Sequence, residues 1–169
     1  MDTPGSPQQD EVDLVMAAWH RERPDLDLQP LAVLSRVSRM ARLLDLARRE
    51  AFGAGSLDPW EFDVLSALRR AGAPHELSPG ALVAQTLVTS GTMTNRIDRL
   101  VDRGHVERLP SRTDRRGVIV RLTESGRDAV DAAMEQLLTH ERELLAGVGE
   151  AEQAEVADAL RRVLSRLEH

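Results

Sequence analysis

The chain has 169 residues, of which 41% are hydrophobic and 30% charged, with a formal net charge of −6 and no cysteine. That length and balance suit one soluble domain with a real core. They exclude a disordered chain, a disulfide framework, a thiolate metal site and thiol-based oxidant sensing. Few residues are aromatic, while Arg, Leu, Ala and Glu recur throughout, a bias toward a mainly α-helical fold. No apolar run approaches the ~20 residues needed to cross a bilayer. The opening MDTPGSPQQDEVD is polar and acidic, unlike a secretory signal, so a cytoplasmic location is expected and no membrane partner.

Residues 1–9 read as a mobile tail rich in Pro, Gly, Ser and Gln. Asp10 is placed to cap a first helix over Glu11–Glu22, with Val12, Val15, Met16 and Trp19 along one face and Pro24 ending it. A second helix spans about Pro30 to Ala51 on a stripe of Leu31, Leu34, Val37, Met40, Leu44 and Ala47, released by Gly53 and Gly55. Asp58 followed by Pro59 is a cap with proline at the first helical position, opening a helix through Arg70 that carries Trp60, Phe62, Val64, Leu65 and Leu68. The AGAPHE segment reads as a loop.

Ser78 with Pro79 repeats that cap-plus-proline signal for a short helix, with Leu82, Val83 and Leu87 as its apolar positions. Thr89 or Ser90 caps the next helix, where Met93, Ile97, Leu100 and Val101 recur at helical spacing until Gly104 stops it. A β-hairpin follows, Val106–Leu109 and Val118–Leu122, with apolar and polar residues alternating. Thr123, with Glu124 and Ser125, begins what reads as the longest helix, running to about Leu145, with Gly126 as its weak point. Gly147 and Gly149 break it. The last helix, near Glu150 to Leu167, shows Val156, Leu160, Val163, Leu164 and Leu167 at i, i+4, i+7 spacing.

The helix after Thr89 has a second face of Ser90, Thr92, Asn95, Arg96 and Arg99. Short hydroxyls, an amide and Arg are the side chains that reach base edges and phosphates in a major groove. The hairpin turn SRTDRRG puts Arg112, Arg115 and Arg116 on a protruding tip, suited to a narrow, electronegative minor groove. A basic loop alone is usually a solvated loop; joined to the helix–turn–helix directly before it, a short helix and then a longer one, it reads as part of a DNA-binding head. The net negative charge does not oppose this, because phosphate contacts are local. Arg99, Arg103, Arg108, Arg112, Arg115, Arg116 and Arg121 all fall in this stretch.

At SGTMTNRIDRLVDRGHVER followed by DRRGVIVRLTESG, the chain resembles the winged helix–turn–helix of the MarR family of transcriptional regulators. The Asp–x–Arg pattern of the family's wing falls on Asp114 and Arg116. The resemblance covers nearly the whole chain. It implies a mainly α fold with a small β-hairpin and an obligate homodimer joined through terminal helices. It also implies a palindromic double-stranded operator, contacted through Ser78, Thr89, Ser90, Thr92, Asn95, Arg99, Arg112, Asp114, Arg115 and Arg116. The expected organisation is a tail over 1–9, N-terminal helices for ligand binding and dimerisation over 10–58, the winged helix–turn–helix over 59–123, and C-terminal dimerisation helices over 124–169.

Trp19, Asp63 and Arg96 together resemble the urate-responsive PecS/HucR-like branch of that family. This branch has an added N-terminal helix bearing Trp, an Asp before the head and an Arg on the recognition helix. The resemblance implies an effector site at Trp19, Asp63, Thr94, Arg96 and Arg70. Thr94 replaces a Ser of the branch. Singly, Trp19 reads as a core aromatic, Arg96 as a phosphate contact, and Asp63 as an acid among Phe62, Val64 and Leu65 that would need a partner if buried. Urate, or a related purine, is a flat hydrogen-bonding anion that Trp19 can stack on and the Arg96 fork can grip. No resident cofactor is expected.

Rival readings are a MarR-type repressor answering phenolic or antibiotic-like compounds, and a metal sensor. The five histidines, His20, His75, His105, His140 and His169, show no ligand spacing. An enzyme is disfavoured: no phosphate-cradling Gly-rich motif, nucleophile elbow or HExxH occurs, and the Ser–Gly pairs sit at helix starts, where capping explains them. A purely structural module has no use for an Arg-tipped hairpin.

Overall fold

The computed structural model of the protein describes residues 9–53, 57–111 and 117–168. Among these residues, helices and strands follow in the order α1 (Glu11–Glu22), α2 (Gln29–Gly53), α3 (Pro59–Arg70), β1 (Glu76–Leu77), α4 (Pro79–Thr86), α5 (Ser90–Asp102), β2 (Val106–Pro110), β3 (Val118–Leu122), α6 (Glu124–Leu144) and α7 (Glu150–Leu167). The fold is mainly α with a small antiparallel sheet, as composition and periodicity led one to expect. The chain divides into two compact units, Met1–Glu50 and Ala51–His169.

In the first unit, Asp10 caps α1 by accepting from the N–H groups of Val12 at 2.8 Å and Asp13 at 3.1 Å, and Asp13 closes the capping box by accepting from the Asp10 N–H. Arg36 of α2 binds the same two carboxylates, Asp10 and Asp13, each at 2.7 Å. Arg39 pairs with Glu11. The Arg36 guanidinium holds the Asp10 carboxyl below its usual range. These pairs are solvent-exposed and contribute little to stability; their use is to fix α1 against α2.

The second unit contains the core. Phe52 from the last turn of α2 stacks tilted against Phe62 of α3, with ring centroids 5.0 Å apart. Around this pair are buried Val64, Leu65 and Leu68 of α3, Leu82 of α4, Met93, Ile97 and Leu100 of α5, Val106, Val120 and Leu122 of the sheet, and Val130, Ala133 and Leu137 of α6. Each buried side chain the size of Val, Leu, Ile, Met or Phe contributes roughly 1.5–3 kcal/mol, enough to hold the short helices α4 and α5 that could not persist alone.

Three sequence expectations need correction. The AGAPHE segment does not remain loop to its end: Glu76 begins β1, which pairs antiparallel with β3 at Glu76–Arg121 and Leu77–Val120, giving strand order β1-β3-β2. Two residues are too few to show a strand period, and the pairing is made by a partner 45 residues away. Arg121 holds the three strands together, binding Glu76 through Nε at 2.6 Å and Glu107 at 3.3 Å. Second, α2 with 25 residues is longer than α6 with 21: it begins at Gln29 and continues through Gly53, while α6 ends at Leu144.

Third, Gly126 is a requirement and not a weak point. It lies buried where α6 begins, and a Cβ there would overlap the backbone carbonyl of His105 at the start of β2. Thr123 fastens the same junction: its N–H donates to the His105 carbonyl at 3.1 Å, its hydroxyl donates to the Gly104 carbonyl at 2.7 Å, and its oxygen accepts from Gly126 N–H at 3.0 Å. Leu87, ending α4, takes φ +53° and is 92% exposed. A left-handed conformation costs a residue with a side chain about 1–2 kcal/mol, and it turns the chain from α4 into α5.

Candidate nucleic-acid interface

α5 is the element on which the site is built. Thr89 caps it, its hydroxyl accepting from the Thr92 N–H at 3.3 Å and lying 2.9 Å from the Thr92 hydroxyl. Met93, Ile97 and Leu100 point into the core and are at most 1% exposed. Their burial fixes the rotation of the helix and leaves Ser90, Thr92, Thr94, Asn95 and Arg99 exposed. Hydroxyl, amide and guanidinium donors therefore stand together on the free face of a helix whose other face is locked. Thr94 bonds back through its hydroxyl to the Ser90 carbonyl at 3.1 Å. Ser78 is exposed and caps α4, accepting from Ala81 N–H at 3.2 Å.

The wing's first and last residues, Ser111 and Gly117, are joined by a backbone bond of 2.9 Å. Arg112, Asp114, Arg115 and Arg116 lie outside the described residues. Three other arginines of the sequence cluster serve the fold: Arg103 pairs with Glu61, Arg108 with Asp98, and Arg121 with Glu76 and Glu107. Counting arginines along the sequence overstates the charge available to DNA, because the acids that neutralise them come from other elements.

The start of α3 faces the arginines of α5. The Arg99 guanidinium lies 4.7 Å from the centroid of the Trp60 ring and that of Arg96 lies 5.6 Å from it. Arg99 is also 3.9 Å from the Asp58 carboxylate, which accepts from the Trp60 indole N–H at 3.3 Å. Glu61 is completely buried, accepts from the Asp58 N–H at 2.8 Å and binds Arg103; its second oxygen has no hydrogen-bond partner among the described residues. Next to this pair His105 is buried too. Burial, and then the charge of Arg103, push its imidazole below the usual histidine range.

Sequence reasoning reaches Trp60 only as a core residue and passes over Glu61. The Asp58-to-Glu61 capping-box spacing is the signal that could have found the second.

Of the residues assigned to an effector, Trp19 lies on α1 and is half exposed. Asp63 is exposed on α3, so the acid this helix buries is Glu61. Arg70, on the same helix, donates to the Ser66 hydroxyl at 2.9 Å. Arg96 is half-buried against Trp60.

Residues 56–117 match the model of the MarR family. Over 157 residues the chain is 37% identical to the HTH-type transcriptional regulator PecS of Dickeya dadantii (strain 3937), covering 93% of this chain and 95% of that one. Among solved structures it is similar to a point mutant of MarR from E. coli complexed with operator DNA. The TM-score is 0.70 at 30% identity, over 82% of this chain and 99% of that one. It is also similar to BpsR of Bordetella bronchiseptica, whose DNA binding is regulated by 6-hydroxynicotinic acid, with TM-score 0.67 at 25% identity over 78% and 91% of the two chains. Such relatives are transcriptional regulators and not enzymes. A helix presenting hydroxyl, amide and guanidinium groups, a three-stranded sheet beside it and these likenesses converge: the chain belongs to the MarR family of DNA-binding transcriptional regulators.

Proposed function

We propose that the protein is a homodimeric cytoplasmic repressor that binds a palindromic operator and leaves it when an anionic aromatic effector, urate first among the candidates, is bound. The observation that carries the DNA-binding half is the exposed face of α5, with Ser90, Thr92, Asn95 and Arg99 opposite a fully buried Met93–Ile97–Leu100 stripe. Together with Ser78, Thr89 and the wing residues Arg112, Asp114, Arg115 and Arg116, this face supplies base and phosphate contacts. The homodimer is supported by α7, an 18-residue helix with no buried residue and with Val156, Leu164 and Leu167 exposed.

The effector half rests on the resemblance to the urate-responsive branch and on the likeness to PecS over nearly the whole chain. BpsR, answering 6-hydroxynicotinic acid, supports the broader class of anionic aromatics. In this proposal Arg96 grips the anion, with Thr94, Asp63 and Arg70 beside it. Asp63 feels the like charge brought close, and α5 moves because Arg96 belongs to it. A ligand shifts the equilibrium only by its differential affinity for the two states, and a full switch needs on the order of 10⁴-fold.

The test is retardation of an operator duplex with rising urate, alongside direct urate binding, for wild type, Asp63→Ser and Arg96→Ala. Trp19→Phe asks separately whether α1 contributes. Urate should release the wild type and fail to release the variants at the same concentration. Equal release of all of them removes the assignment. A melting temperature raised by salicylate-like compounds but not by urate or xanthine would instead favour the phenolic-responsive reading.

A further inference from the structure

Arg96 and Arg99 of α5 and Arg103, which caps its C-terminus, stand at i, i+3 and i+7, one stripe along a single flank of the helix. All three are met by the start of α3: Arg96 and Arg99 by the Trp60 ring, Arg99 by Asp58, and Arg103 by Glu61. Trp60 is itself oriented by the bond from its indole N–H to Asp58. It is only partly buried, so completing the core is not its sole use. The contact with the ring is made by the guanidinium charge, 4.7 Å (Arg99) and 5.6 Å (Arg96) from its centroid, and consumes none of the five N–H donors. One terminal nitrogen of Arg99 also lies 3.9 Å from the Asp58 carboxylate. An arginine held this way loses rotamer freedom in advance and keeps its donors for phosphate, base or anion.

From this geometry we infer that Trp60 is a positioning residue for DNA binding. It acts through the arginines of the recognition helix, Arg99 foremost because it lies nearest, and contacts no DNA itself. The same ring also touches Arg96, so the arginine assigned to the effector and the arginine assigned to the operator share one support. This inference rests on the proposed docking of α5 on DNA.

The experiment uses the full chain and a labelled duplex selected by the wild-type protein from a random library. Operator affinity is measured by anisotropy for Trp60→Leu, Trp60→Phe, Arg99→Ala and the double variant Trp60→Leu/Arg99→Ala. In Trp60→Leu the operator-binding Arg99 of each of two copies loses its support, and affinity should fall about tenfold. Trp60→Phe keeps an aromatic face and should recover most of the loss. The double variant should fall within about twofold of Arg99→Ala alone, since a residue acting through another adds nothing once that other is gone.

The chain has two tryptophans, so in a Trp19→Phe background the emission reports Trp60 alone and should change when operator is added. If Trp60→Leu does not fold, Trp60→Phe and the emission titration decide. Unchanged affinity in Trp60→Leu, losses that multiply in the double variant, or silent Trp60 emission would overturn the inference. Failure of the wild type to select any duplex would instead overturn the DNA-docking reading beneath it.

Discussion

α5 and α7 are both amphipathic helices rich in Arg and Leu-like residues, yet the fold uses them differently. α5 sends Met93, Ile97 and Leu100 into the core of its own chain and reserves its polar face for a ligand. α7, longer by five residues (18 against 13), has no buried residue and leaves Val156, Leu164 and Leu167 exposed. The same periodicity thus serves an intramolecular core in one place and an unfilled surface in the other. An apolar stripe reports that a helix has something to cover, but not which chain provides the cover.

The largest expected effect comes from testing what α7 is for. Val156→Asp with Leu164→Asp places charges from both copies in the proposed dimer contact. It should raise the dimer dissociation constant by on the order of a thousandfold, giving monomers by light scattering and no operator retardation. A variant that stays dimeric would break the contrast between the helices. Gly126→Val asks the opposite question, of a site with no room at all. Its side chain must displace the His105 carbonyl, and a loss of about 3 kcal/mol in urea unfolding is expected. A neutral result would show that the α6–β2 junction yields easily.

Ion pairs sharpen the comparison further. Arg103→Ala strands the buried Glu61 carboxylate and should cost about 2 kcal/mol, discounted from a wholly buried pair because Arg103 is itself exposed on one side. Arg161→Ala, which breaks the surface pair with Asp158 on α7, should change stability by less than about 0.5 kcal/mol. Chemical denaturation of the two variants side by side checks the difference.

The smallest effect is a pH dependence seated in the head. His105 has a folded-state pKa pushed below its ordinary value by burial and by Arg103, so below about pH 6.5 the unfolded chain binds the proton that the folded chain resists. Stability is therefore full above that value and falls as pH drops through it. The melting temperature should decline from about pH 7.5 to about pH 5.5, less so in His105→Gln. An identical decline in both would move the effect to another group.

Much of the head was legible because its signals are local. Asp10, Asp58, Ser78 and Thr89 cap the helices they were expected to cap, since a cap depends on a side chain and the backbone two or three residues on. The locked and free faces of α5 followed from a period of about 3.6. What escaped depended on residues far apart in sequence. β1 exists because Glu76 and Leu77 meet Arg121 and Val120. Three of the clustered arginines are spent on Glu61, Asp98, Glu76 and Glu107. Asp63 draws attention as the acid in an apolar run, while the fold buries Glu61 two positions earlier.

The sequence alone determined the order of helices, the hairpin strands, the polar stripe of α5 and the family, because periodicity, caps and motif spacing are written in neighbouring residues. Only the tertiary structure decided that Trp60 supports Arg96 and Arg99, that Gly126 must lack a side chain, and which arginines are drawn into the fold before DNA can use them. Each of these follows from what a second element brings within a few ångströms, and pairing, overlap and charge neutralisation are set by distance in space.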